Sequence, residues 1–504
     1  MLTALCLSAL ASLGANALSE DERSSIGECL GRQVLAEGAT REDLVRFVIK
    51  RLPPLVLPAS AEAWTKEGVA LRKAILERVI FRGVPEAWRD GAPAVEWTDV
   101  IETDHGYRIR KLRYEALPGL WIPALLYEPD ELNEGVPGVL NVNGHEYAAG
   151  KAVKYEQLRC INLTKRGIVN LHPEWLNCGE LHKPCYDHNT LAYLNLCGIS
   201  GVGVFHLAMQ RGLDVLAAHG GVDPERLAMT GLSGGGWQTI ILSALDTRIA
   251  VSIPNAGYIG LDVRTGHLGD VGDLEQIPVD LASIADYPHL TALLAPRPAL
   301  LLYNEQDDCC FQSWRAQPSV YDPVKPFYAL YGKQEDFAFH NNLDPGTHNY
   351  DQDNREQCYR FLNRHFLPQS RWIDDEIPSD TEIRTVQKLT VGVPKDNASF
   401  YSLAEHAMAG LPETAAPDLA SEGFAAWQED ARSRLAGLLR LSEVHYEASL
   451  QDKATQAGPE AAWYELKVNE AWRVPVLVLS RQDTERNETV LLLADSGRAS
   501  LGYS

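Results

Sequence analysis

The chain has 504 residues, of which 45% are hydrophobic and 23% charged, and a formal net charge of -22. That length exceeds one average core and predicts two or more domains, and the composition excludes a disordered chain. The acidic balance excludes nucleic acid and anionic membrane as main partners, because both require a basic face.

At the N-terminus an apolar run from Leu2 to Leu13 precedes Ala15-Asn16-Ala17, a small-x-small pattern, and then a charged stretch. This order predicts a signal peptide over 1–17 and an exported protein, with an n-region that lacks Lys or Arg. The run is too short to span a bilayer, and no later stretch reaches the required length. A helix-patterned segment, 18–89, follows. Of nine cysteines, Cys6 leaves with the signal; the other eight can pair in an oxidising compartment, in a pattern the sequence does not fix. Cys178, His182 and Cys185 lie close in sequence, but no C-x-x-C spacing supports zinc, so no metal is expected.

From about 90 onward short aliphatic runs alternate with helical patterns. The predicted strands are 122–129, 138–144, 167–174, 227–233, 250–256, 299–305 and 327–332. Several are continuously apolar, as strands covered on both faces are. Between them lie helical stretches such as "YEQLRCINLTKRG" and "HLAMQRGLDVLAAHG". The alternation predicts an α/β domain over 90–370, with a mostly parallel sheet and helices on both faces. Chemistry in such a domain gathers beyond the carboxyl ends of the strands.

"GLSGG" (231–235) follows one of these strands and precedes the helix-capable "WQTIILSAL". G-x-S-x-G in that setting puts a serine hydroxyl on a tight strand-to-helix turn, so Ser233 is the candidate nucleophile. The amide of Gly234, at a helix N-terminus, is a candidate oxyanion donor. A serine needs a base, and the base needs an orienting acid, in the chain order Ser, acid, His. Asp307 and Asp308 follow the strand "ALLLYNE", and His348 lies in the turn-rich loop "FHNNLDPGTHNYDQ" beyond the next strand. Asp307 is the preferred acid and Asp308 the alternative. His340, in a chain with 14 histidines, is read as structural. A second oxyanion amide is expected after the strand "GVLNVNG", on His145 or Glu146. Glu174, Trp175 and Trp237 are candidates for the substrate pocket.

"VDPERLAMTGLSGGG", "RGLDVL" and "DPGTHNY" together resemble the α/β-hydrolase superfamily. The most similar branch contains acetyl xylan esterases, dienelactone hydrolases and prolyl-oligopeptidase catalytic domains. The resemblance covers about 90–370, with the turn from Asp223 to Arg226 particularly similar. It implies Ser233 as nucleophile, His348 as base, Asp307 as acid, and no metal or organic cofactor. "NGHE" departs from the family's commoner "HG" at the oxyanion loop. The helix-patterned segment before residue 90 is too short for a β-propeller, which disfavours the peptidases of the branch.

From 371 a polar, Pro-punctuated stretch predicts a linker. Beyond it, "WYELKVNEAWRVPVLVLSRQDTERNETVLLLADSGRAS" echoes "YRIRKLRYEALPGLWIPALLYEPDELNEGVPGVLNVNGHEYAAG", with Pro475 matching Pro123. The echo predicts a partial repeat of the hydrolase entry segment, an incomplete and truncated second domain over 371–504. The expected function is that of an exported serine esterase, acetyl xylan esterase-like, acting on a small ester or acetylated carbohydrate. The alternatives are a prolyl-oligopeptidase-like peptidase and a carbohydrate-binding or scaffold protein with an idle triad.

Overall fold

In the computed structural model the described residues are 19–132, 135–270, 272–412, 417–455, 460–480, 489–494 and 496–503. The expected signal peptide lies outside them. Nine strands form one sheet: β1 (Val95–Glu102), β2 (Tyr107–Leu117), β3 (Leu120–Pro129), β4 (Val136–Val142), β5 (Val169–Pro173), β6 (Val222–Leu232), β7 (Ile249–Asn255), β8 (Ala299–Asn304) and β9 (Phe337–Asn342). Their order is β1-β2-β3-β5-β4-β6-β7-β8-β9. The strands β5, β4, β6, β7, β8 and β9 run parallel, and the edge meander β1-β2-β3 joins them antiparallel through β3 and β5. Every residue of β4, β5 and β8 is buried, so these strands are largely apolar, their few polar residues (Asn141, Asn170, His172 and Asn304) being buried as well.

The longer helices of the chain are α1 (Glu20–Gly31), α2 (Ala39–Ile49), α3 (Ala61–Ile75), α4 (Lys154–Lys165), α5 (Val202–Ala217), α6 (Gly234–Leu245), α7 (Gln352–Phe366), α8 (Phe400–Met408) and α9 (Phe424–Leu438). Helices cover both faces of the nine-stranded sheet, and the fold is that of an α/β-hydrolase. Among the described residues no helix is long and apolar enough to cross a membrane. The eight cysteines there are free thiols.

Two features differ from the sequence-based expectation. Residues 327–332, expected as a strand, form the end of a short helix, Lys325–Leu330, which has Pro326 in its first turn, and the turn after it. Proline is well placed there, and the run contains no β-branched residue to favour a strand. The last strand is instead β9, ten residues later in the chain by its first residue (Phe337 against Phe327). The second difference concerns 371–412, expected as a linker. This segment packs on the body of the nine-stranded sheet: Arg166 donates to the carbonyls of Ile373 and Asp375, and Glu180 accepts the amides of Val391 and Gly392. Phe400 and Leu403 of α8 enter the main core. Accordingly 51–413 forms one compact unit, and the divisions fall at 50 and 413 instead of 89 and 370.

The other unit combines 1–50 with 414–504. Its sheet is an antiparallel meander of β10 (Tyr446–Thr455), β11 (Glu460–Val468) and β12 (Trp472–Ser480). Arg473 pairs with the buried Asp43 at 2.8 Å, Trp463 donates to the carbonyl of Cys29, and Phe47 packs on Trp472. These contacts tie α1 and α2 to the meander.

Candidate active site

Ser233 ends β6 and caps α6 with φ 59° and ψ -122°. A non-glycine residue in this region is strained, and the surroundings hold it there: its amide donates to the carbonyl of Asn255 and its carbonyl accepts from Trp237. The flanking glycines are dictated by close approach. A Cβ on Gly231 would lie 2.3 Å from the carbonyl oxygen of Val142, and one on Gly235 2.4 Å from the same atom. The turn therefore fits against β4 only with glycine at both places. Gly234 opens α6, so its N–H is one of the four with no partner inside the helix.

Asp307 lies just past β8, 2% exposed. One carboxylate oxygen accepts the amides of Cys309, Cys310 and Phe311, and the other lies 2.7 Å from Nδ1 of His348. Burial pushes this carboxyl up, but the hydrogen bond and charge of His348 and the amide of Phe311 outweigh it, leaving it below its ordinary value. Asp308 accepts the backbone amide of His348 instead. His348 comes from the loop after β9, and its Nε2 is buried without a hydrogen-bond partner. Ser233, Gly234 and His348 line one cavity of about 580 Å³, together with His145 and Glu146.

On the loop after β4 the amide of Glu146 donates to the carbonyl of Gly144 at 2.7 Å. Of the two expected donors there, that leaves the amide of His145. The three residues expected in the substrate pocket do not line the cavity. Glu174 is buried in a pair with Lys151 at 2.7 Å, where it also accepts the amides of Lys151 and Glu180. Burial pushes its carboxyl up, with the Lys151 charge opposing. Trp175 is 4% exposed and packs behind the elbow: a Cβ on Gly234 would lie 2.2 Å from its ring. Trp237 is fully buried and donates to the hydroxyl of Tyr287 at 3.1 Å. All three face the interior because the strand and helix they extend are covered on both sides. His340 pairs with Asp353 at 2.7 Å, a structural contact.

Sequence reasoning missed the opposite wall. His188, Asp273 and Glu275 converge with His145, and one donor atom from each lies within 4.8 Å of the others. Asp273 lies 2.7 Å from Nε2 of His145, whose hydrogen bond holds the carboxyl below its ordinary value. Burial opposes the imidazolium of His188, yet Glu275 beside it raises its pKa. The acidic, glycine-punctuated "GDVGDLEQ" was the one local signal. Among the described residues a second group of possible metal donors is Asp307, Cys309 and His348, which includes the acid–imidazole pair itself.

A strained serine at a strand-to-helix turn and a carboxylate–imidazole pair both lie beyond the carboxyl ends of parallel strands, where ligands of open α/β sheets bind. Solved structures agree on the fold. Methylesterase BT1017 aligns with a TM-score of 0.56 at 20% identity, over 73% of this chain and 79% of its own. A Bacteroides fragilis protein assigned provisionally as an acetyl xylan esterase aligns at 0.50 and 20% identity, over 63% of this chain and 84% of its own. No family model matches the sequence, and no curated protein matches it.

Proposed function

We propose that the chain is a serine-dependent carboxylic-ester hydrolase acting on acylated carbohydrate. The observation that carries this reading is the strained Ser233 sharing one cavity with a His348 whose Nδ1 lies 2.7 Å from Asp307. Ser233 Oγ attacks the ester carbonyl while Nε2 of His348 takes its proton. Asp307 holds the imidazole in the tautomer that leaves Nε2 free to accept, and stabilises the imidazolium that forms. The amides of Gly234 and His145 receive the oxyanion. The protonated His348 then gives its proton to the departing alcohol. Water, deprotonated by the same nitrogen, cleaves the acyl-enzyme and restores the serine. Ser233 and His348 are not hydrogen-bonded in the free protein; in hydrolases this contact commonly tightens only with substrate in place.

The carbohydrate part of the proposal rests on the similar folds of a methylesterase and a provisionally assigned acetyl xylan esterase. Export rests on the apolar run and small-x-small pattern over 1–17. The C-terminal meander is read as a second copy of the entry segment. Aligning Pro475 with Pro123 carries the pairs Glu465–Pro475, Leu466–Val474 and Lys467–Arg473 onto Arg113–Pro123, Tyr114–Ile122 and Glu115–Trp121. The register shift between Leu450 and Asp452 likewise corresponds to that between Trp97 and Asp99.

A fluorophosphonate probe tests the chemistry. Wild-type protein should label at Ser233 and release acetate from acetylated xylan, and Ser233→Ala should do neither. Folded wild-type protein that neither labels nor turns over any ester would sink the reading.

A further inference from the structure

We propose that His145, His188, Asp273 and Glu275 form a site for one divalent transition-metal ion of the zinc type, in the wall of the Ser233 cavity. The four residues come from three separate segments: the loop after β4, the short helix His188–Leu191, and the turn Leu274–Gln276 with Asp273 just before it. Their donor atoms all lie within 4.8 Å of one another. The separations are 3.3 Å between the imidazole nitrogens, 2.7 and 3.8 Å from His145 to Asp273 and Glu275, and 3.8 and 3.3 Å from His188 to the same carboxylates. A tetrahedron whose corners lie about 2.1 Å from a central zinc has edges of roughly 3.4 Å, within the range observed.

Three further features point to a cation. Nε2 of His188 lies 2.8 Å from the carbonyl of Leu176, which can only accept. That bond puts the proton on Nε2 and turns the Nδ1 lone pair toward the cluster, the arrangement typical of a metal-bound histidine. Glu275 is fully buried, and its Oε2 has no hydrogen-bond partner. Two carboxylates and two imidazoles meet there with one buried carboxylate oxygen unpaired, and one dication would balance both carboxylates with the imidazoles neutral. Finally, two nitrogens and two carboxylate oxygens make a donor set suited to zinc and its neighbours; calcium and magnesium prefer oxygen alone. With four protein ligands the site is closed, so the ion would be structural. It would tie the loop that carries the His145 amide to the opposite wall, independently of what Ser233 does chemically.

The test is metal binding by the full-length protein, stripped with EDTA and titrated with Zn²⁺ against a chromophoric chelator, with Co²⁺ as a spectroscopic probe. One equivalent of Zn²⁺ should bind, and Co²⁺ should give the strong visible bands of tetrahedral coordination. Asp273→Asn keeps the side-chain volume at a half-buried position; it should weaken Zn²⁺ by about tenfold or more and abolish the bands. A Cys309→Ser, Cys310→Ser double variant should leave both unchanged. No stoichiometric binding by wild type, undiminished binding by Asp273→Asn, or loss on removing the cysteines would each overturn the site.

Discussion

Asp307 and Asp308 are neighbours with the same side chain and opposite surroundings. Asp307 is buried against Nδ1 of His348, whereas Asp308 reaches only the backbone amide of that residue. Replacing Asp307 by Asn keeps the shape but favours the wrong imidazole tautomer, so kcat should fall by about 10³–10⁴. Asp308→Asn should stay within about tenfold, since an amide oxygen can accept the same N–H. Ester turnover by the two variants, compared with wild type, checks this. The pH dependence of stability follows from the same contact. A carboxyl whose pKa is lowered by folding stabilises the fold above its unfolded value, near 3.8 for Asp307, and loses that contribution as pH falls through the lower folded value. Urea melts should show a stability gap between wild type and Asp307→Asn that is flat above about pH 5 and closes toward strong acid. Ser233 and Asp307 were legible beyond strand ends because each follows a recognisable aliphatic run, whereas His348 was legible through its turn-rich loop and the chain order, since the strand before it is β9 and not 327–332. His188, Asp273 and Glu275 were not, because only the folded chain brings them to His145.

At the scale of elements, α4 carries a fully buried ion pair. Glu156 and Arg159 are both 0% exposed and hydrogen-bonded to each other, and Arg159 also donates to Asn141 in β4. Burial pushes the Glu156 carboxyl up to about 7, against the opposing charge of Arg159. Deleting one partner strands the other in the interior. Arg159→Leu should therefore destabilise by about 3–5 kcal/mol, while Glu156→Leu combined with Arg159→Leu should recover most of that loss. Denaturant midpoints of the three proteins measure it, and a double variant no better than the single would contradict the argument. The sequence did not advertise this pair, since Glu and Arg three apart on a helix usually form a solvated face. The buried parallel strands were the most legible elements because their faces are covered alike. β1 and β2 were missed because they interleave charged residues with apolar ones: β1 is mostly exposed, and β2 alternates. The aromatic run at 327–332 misled because local hydrophobicity does not separate a buried strand from a short buried helix.

At the scale of the molecule, the elements that build the candidate site all lie within 51–413, including the segment that composition marked as a linker. The chain from 371 onward there is held by specific polar contacts. Asn162 accepts the amide of Ile377 and donates to its carbonyl, Lys165 reaches Ser379, and Asn397 bonds both the amide and the carbonyl of Trp121 in β3. Removing it would expose the core beneath Phe400 and Leu403 and leave the buried, charged Arg166 without the carbonyls of Ile373 and Asp375. Unpaired buried groups of this kind cost about 1–3 kcal/mol each, and several lost together exceed the stability of a typical domain. A protein of residues 51–413 should therefore be soluble, melt cooperatively and label at Ser233 as the full chain does. A protein of 51–370, cut where composition alone suggests, should aggregate or melt without cooperativity. Solubility, a thermal melt and probe labelling of the two proteins decide the matter. Equal behaviour of both would mean that the 371–412 segment decorates the body of the nine-stranded sheet without supporting it.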